Sequence, residues 1–192
     1  MTSAAIHSVR HRVRLLLAAV LLALVTMVVQ LPAAPADAHQ SGHPRMERKF
    51  FNKINASRQR QGLPLLKLHG LPNPVRKMAQ EHAWDMAGPA DCSLDSDQAP
   101  PFSGLAHDLT FGAQLFALGF NGYGDNVGCG YGVGQIHSAL LASDCHNANI
   151  LSKEMLCPLY INGKVLNRDW TAVAIGVEVH QDKIWVSQIF TR

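Results

Sequence analysis

The segment VAIGVEVHQDKIWVSQIFT, Val173 to Thr191, reads as two strands joined by a two-residue turn. Val173, Ile175, Val177 and Val179 alternate with Ala174, Gly176, Glu178 and His180, which gives one apolar face and one small or polar face at the strand period. Lys183 to Thr191 continues as a second strand-like run after Gln181-Asp182. This predicts a half-buried antiparallel hairpin at the end of the chain.

Upstream of it the periodicity is mostly helical. Met46, Phe50, Phe51 and Ile54 mark one face of a helix over 46–60, with Arg48, Lys49, Asn52 and Arg58 on the other. Asn73-Pro74 starts a second helix, to Ala87, with Val75, Met78, Ala79, His82 and Met86 on one stripe; His82 reads there as a hydrogen-bonded core residue. A third helix is expected over 105–118 from Leu109, Ala113 and Phe116, and a fourth over 133–142 burying Ile136, Leu140 and Leu141. A short helical piece follows near 146–151, and Asn162-Gly163 centres a local hairpin within 159–166. Between the third and fourth helices glycine fills seven of the sixteen positions from Gly119 to Gly134, a density that implies tight backbone turns. Helices first and strands last, without βαβ alternation, give an α+β class with helices packed on an antiparallel sheet.

The chain has 192 residues, with Lys+Arg 17 against Asp+Glu 14. Arg10, Arg12 and Arg14 precede an apolar run from Leu15 to Leu31, and Ala36-Asp37-Ala38 follows it. That is the layout of a secretory signal peptide cut after Ala38, an uncleaved membrane anchor being the alternative. Without those 38 residues, 14 Lys+Arg face 13 Asp+Glu, so the basicity belongs to the leader. A near-neutral chain lacks the footprint of nucleic-acid binding. The division expected is a leader over 1–38, a flexible lead-in over 39–45, and one domain over 46–192. The localisation expected is secreted or at the cell envelope, with membrane contact only through an uncleaved leader.

Cys92, Cys129, Cys145 and Cys157 all lie in the exported part, where an even count favours two disulfides. Three pairings exist, of which Cys92–Cys129 with Cys145–Cys157 is preferred. Gly128 to Gly134 misses the spacing of a dinucleotide fingerprint, and no Lys-Ser/Thr follows to make a phosphate loop. Cys145-His146 could pair a thiol with a base, but a disulfide competes for the thiol. His107, Asp125 and His146 are the candidate ligands for a divalent cation, since imidazole nitrogen and carboxylate oxygen suit such ions. Asn126 and Asn149 read as residues that fix loops. Trp84, Trp170 and Trp185 read as core or cleft-wall aromatics.

Taken in order, several segments resemble the CAP superfamily, named for cysteine-rich secretory proteins, antigen 5 and pathogenesis-related class 1 proteins, and in particular its short bacterial exported (SCP-like) members. They are FNKINASR from Phe51 with GLPLL from Gly62, MAQEHAWDMA from Met78, GF at Gly119, GDNV from Gly124, SDCHNANIL from Ser143, AIGVEV from Ala174 and WVSQIF from Trp185. The resemblance implies an α-β-α sandwich, a central antiparallel sheet flanked by helices, and a cleft where the family often gathers two His and two acidic residues. His146 matches one histidine, and Asp125 stands for the usual Glu. The family's first histidine meets Cys92 to Ser96 here, with His107 nearby, and the helix before Ser143 offers Gln135 and His137 in place of a carboxylate. Asn126 joins Asp125, His146 and His107 as a cleft candidate. The segment over 152–170 is longer than in many bacterial members and suggests an added lobe, tied back through Cys145 and able to cover the cleft.

The function this implies is non-enzymatic: an exported domain binding a lipid, sterol or cell-envelope component. The alternatives are a metal-assisted hydrolase using His146, Asp125 and His107, in which a bound cation would lower the pKa of water toward about 7, and a secreted protein-interaction module.

Overall fold

The computed structural model describes residues 42–93, 98, 100–153, 160–161, 164–165 and 168–192. The leader, Cys157 and the Asn162-Gly163 turn lie outside the described residues. In chain order the elements are α1 (Pro44–Arg60), β1 (Lys67–Leu68), α2 (Pro74–Ala87), α3 (Phe111–Ala117), β2 (Tyr123–Gly130), α4 (Val133–Ala142), α5 (Asp144–Leu151), β3 (Tyr160–Ile161), β4 (Lys164–Val165), β5 (Ala172–His180) and β6 (Lys183–Thr191). The main sheet has the order β1-β5-β6-β2. β6 is antiparallel to both neighbours, while the two-residue β1 pairs in parallel with β5. The sheet is therefore mixed rather than purely antiparallel, in an α+β fold.

Alternation along the strands sends side chains into two different cores. Val173, Ile175 and Val177 of β5, with Val186 and Phe190 of β6, pack against Phe50 and Ile54 of α1, Ile136 and Leu140 of α4, and Ile150 of α5. On the other face Ala174 and Ile189 meet Val75 and Ala79 of α2 with Phe111 and Leu115 of α3. Val127 and Trp185 meet Met86, Phe102, Leu105 and Ala106. Helices cover both faces, so the C-terminal hairpin is buried on both sides rather than one. Its small face is a place of close approach and not of solvent: a Cβ on Gly176 would lie 2.1 Å from the Ala79 carbonyl oxygen. Gln181 and Asp182 both take positive φ, 48° and 61°, as a two-residue turn matched to strand twist requires.

Several helices begin and end where their caps dictate. α2 has the expected bounds, with Asn73 Oδ1 accepting from Val75 N at 2.8 Å. α1 starts at Pro44, two residues before the expected position, because proline suits the first helical turn and needs no N–H acceptor there. Arg58 leaves the polar face on which its spacing put it. It is 2% exposed and donates to the carbonyls of Pro64 and Ile150 and to Ser152 Oγ. Burial lowers the pKa of its guanidinium, while Asp169 pulls the other way.

Two further expectations fail. The helix expected over 105–118 forms only from Phe111, because Asp108 Oδ1 accepts from Thr110 N at 2.7 Å and from its hydroxyl at 2.8 Å, closing a turn that starts the helix late. Leu105 serves the second core instead, and Leu109 is 62% exposed. The glycine-rich segment turns at Gly119, which takes a φ of 88° at the end of α3, but not at the glycines that follow Tyr123. Tyr123 to Gly130 is an eight-residue strand in full register with β6. Its glycines make room: a Cβ on Gly124 would lie 2.6 Å from Asn149 Oδ1, and one on Gly128 would lie 2.7 Å from Ile136 Cγ2. Helix packing onto the strand, not backbone bending, selects them.

The segment from 152 to 170 contains the small β3–β4 ladder, Tyr160 opposite Val165 and Ile161 opposite Lys164, where the Asn-Gly signal placed a hairpin.

Candidate functional site

β2 is an outer strand of the sheet, and the three histidine and carboxylate candidates meet beside it. Asp125 sits on β2, His107 on the connection between α2 and α3, and His146 on α5. His107 Nδ1 lies 2.6 Å from Asp125 Oδ2. A carboxylate only accepts, so Nδ1 carries a proton, and when the ring is neutral its Nε2 keeps the lone pair. His146 Nε2 is 3.4 Å from that atom, with the two rings 5.4 Å apart and inclined at 36°. The side chains of His107 and Asp125 are 27% and 17% exposed. Burial and the neighbouring His107 lower the pKa of His146 to about 4, against the opposing pull of Asp125, so His146 is neutral at pH 7.

Two peptide-fixing amides hold the strand to the helix. Asn126 Nδ2 donates to the His146 carbonyl at 3.2 Å and to Gln188 Oε1 at 3.3 Å. Asn149 Nδ2 donates to the Asp125 carbonyl and to Asn126 Oδ1, both at 3.0 Å. Arg168 Nε then donates to Asn149 Oδ1 at 3.0 Å, and the Arg168 carbonyl accepts from Ser152 Oγ at 2.7 Å. Asn126 and Asn149 thus anchor a strand edge and a helix rather than loops.

His107 is held from the other side. Cys92 is disulfide-bonded to Cys129 of β2, and Leu105 N donates to Asp91 O at 3.2 Å. Leu105 and Ala106 are buried in the core that Cys92 and Cys129 also join. Cys145 is disulfide-bonded as well, which removes the Cys145–His146 thiol–base pair as a nucleophile; the Cys145–Cys157 pairing involves a residue outside the described set.

Behind the site lies His82, 2% exposed on α2. Its Nδ1 is 3.2 Å from Ser187 Oγ, and its ring centroid lies 4.8 Å from Phe102 and 5.0 Å from Phe111. Burial lowers its pKa to about 4, although Asp125 and Asp108 pull upward. Asp108 and His82 are the ionisable neighbours of the site that the sequence did not single out for it. The Asp-x-Thr turn was the available signal for Asp108. His137 and Gln135 lie elsewhere: His137 Nε2 is 2.9 Å from Ser57 Oγ of α1, and Gln135 Oε1 accepts from Tyr131 N.

The donor set can be tested against the divalent cation that the motif resemblance implies. Two nitrogens on a tetrahedral ion at ~2.0–2.1 Å lie about 3.3–3.4 Å apart, and the facing Nε2 atoms of His107 and His146 are 3.4 Å apart. Asp125 stands behind His107 at Nδ1, where a carboxylate orients a ligating imidazole and raises its basicity. Among the described residues no group of three His, Cys, Asp or Glu is arranged around one ion. The residues therefore fit a two-imidazole site with further positions open, and not a closed four-ligand structural site.

No protein-family model matches the chain, and no curated protein matches its sequence significantly. Solved structures of similar fold include an outer surface protein from Borrelia burgdorferi. It matches at a TM-score of 0.56 and 13% identity, over 79% of this chain and 98% of that one. A cysteine-rich secretory protein from Staphylococcus aureus matches at a TM-score of 0.49 and 19% identity, over 82% of this chain and 40% of that one. The likeness to the Borrelia protein is one of fold.

Proposed function

We propose that this chain is an exported CAP-like domain that acts by binding, and that its site presents the His107–His146 imidazole pair to a divalent cation. The carrying observation is the pair itself: two Nε2 atoms 3.4 Å apart, with Asp125 orienting His107 and burial keeping His146 unprotonated. The ordered motifs at Gly124 and Ser143 support the family reading, since Asn126 and Asn149 tie those two segments together. The Cys92–Cys129 bridge suits an oxidising compartment outside the cytoplasm. An envelope lipid or sterol is the class of organic ligand that the family resemblance brings.

The arrangement also suggests how binding would respond to the chain's own groups. Asp125 fixes the His107 tautomer, and Asn126 fixes the backbone that carries His146. A bound cation would supply Lewis acidity at the open positions. Metal-assisted hydrolysis is the second reading, favoured by the positions that two imidazoles would leave open on the cation, where a water would bind.

Calorimetric titration of chelator-treated protein with Zn²⁺ tests both. One ion per chain is expected, with binding abolished in His146→Ala and weakened about 10- to 100-fold in Asp125→Asn. Absence of zinc uptake overturns the proposal. Zinc-dependent turnover of ester or amide substrates that is lost in His146→Ala would replace binding with hydrolysis.

A further inference from the structure

The C-terminal end of α2, the Pro100–Phe102 turn and the far end of β5 line a groove of about 760 Å³ that shares no residue with the histidine site. That volume falls in the small-molecule range of ~300–1,000 Å³. Its most telling wall is Trp84. Trp170 and Trp185 are 3% and 0% exposed, whereas Trp84 is 44% exposed, so a large indole has been left outside both cores. Phe102 and Pro101 extend the apolar lining.

Asp85, beside Trp84 on α2, and Glu178 on β5 both line the groove, and among the described lining residues there is no lysine or arginine. Glu178 is held in place: its Oε2 accepts from Gln80 Nε2 at 3.3 Å, and its Oε1 is 3.9 Å from His43 Nε2. His180 completes the polar rim.

This chemistry discriminates between ligand classes. Anions such as fatty acids or phosphates would face two like charges. A neutral apolar molecule would strip water from the carboxylates without replacing it. A hard metal ion needs six to eight oxygens, which an aromatic and proline lining does not offer. An alkylated ammonium satisfies every wall, since its charge suits the carboxylates and the π face of Trp84 while its substituents bury against Phe102 and proline. We propose that the groove is a binding site for a small organic ammonium ion with an apolar body.

The test uses the mature exported chain, ¹⁵N-labelled and titrated with benzyltrimethylammonium, with benzyl alcohol as the uncharged comparator. Saturable shifts of the Trp84 indole N–H are expected with the cation, and much weaker ones with the alcohol. Backbone shifts around the groove report binding in the variants. Trp84→Leu should weaken affinity about two- to thirtyfold, the span of a ring–cation contact. Glu178→Gln should weaken it too, with the melting temperature of both variants close to that of the parent. His146→Ala should bind as the parent does. No saturation by about 10 mM, equal binding of benzyl alcohol, or unchanged affinity in Trp84→Leu overturns the proposal. Loss of binding in His146→Ala would move the cation to the histidine pair and overturn it as well, while leaving the zinc reading to its own titration.

Discussion

The approach of α2 to β5 sets the depth at which the helix lies on the sheet, and Gly176→Ala measures it. An added Cβ would sit 2.1 Å from Ala79 O, 2.2 Å from Ala79 C and 2.4 Å from Gln80 N. These are backbone atoms of a helix interior, so no rotamer change relieves the overlap. Ordinary contact begins near 3.4 Å, which requires the helix or strand to move apart by roughly an ångström. That movement stretches the bond from Val177 N to Gln80 Oε1, now 3.0 Å, and opens the Val75, Ala79, Ala174 and Ile189 contacts. Overpacking of this kind costs about 1–3 kcal/mol, and the lost backbone donor adds about 1 kcal/mol. For a domain of this size each kcal/mol moves Tm by roughly 2–4 °C, so the combined cost of about 2–4 kcal/mol lowers Tm by about 4–16 °C, read by circular dichroism. Gly70→Ala is the control, since a Cβ there has open space. Equal melting temperatures for Gly176→Ala and the parent would show that α2 does not lie where the structure puts it.

Other perturbations test the site and its surroundings. His82 and His137 are buried with pKa values lowered to about 4 from 6.5, so the unfolded chain binds protons that the native state refuses. Their stabilising effect is complete above pH 6.5 and is lost as pH falls toward 4, by about 3 kcal/mol for His82 alone; urea midpoints that stay flat across that window would contradict the burial. Asn126→Ala removes donors to His146 O and Gln188 Oε1 and an acceptor for Asn149. It should cost about 2–3 kcal/mol and lower zinc affinity along with stability. Replacing both Cys92 and Cys129 by serine releases a crosslink spanning 37 residues and should lower stability by about 2–4 kcal/mol, with weakened zinc binding because His107 loses its anchor. Unchanged unfolding of that double variant would mean that the 88–110 connection is held by its apolar contacts alone.

α2 and α4 were legible from their caps and stripes, whereas the stripe of Leu109, Ala113 and Phe116 overran the start of α3 and marked a face that is exposed. Asn73-Pro74 and the Val75-Ala79-Met86 stripe placed α2 to the residue, and the spacing of Ile136, Leu140 and Leu141 did the same for α4. The terminal hairpin was legible from its period, but its burial was not. Alternation between large and small side chains looks the same whether the small face meets water or a helix backbone, and only Ala79 lying against Gly176 tells them apart. β2 was hidden for a related reason. Glycine's local preference is for turns, and the need for Gly124 and Gly128 arises from Asn149 and Ile136, which are far along the chain. The site was legible as residue types at His107, Asp125 and His146. Their division of labour was not, because the Nδ1 contact that makes Asp125 an orienting group is a matter of ångströms rather than spacing.

The treatment of the sheet's two flanks bears on how the chain avoids pairing with its own copies. An open strand border is a template onto which another chain can stack. Here the Asp125 carbonyl on one border is occupied by an amide from α5, and the Val177 N–H on the other by a glutamine from α2. Each border thus has a ladder group taken by a side chain, and on the β2 border a strand that added itself would have to break the amide bond that ties Asp125 to the helix carrying His146.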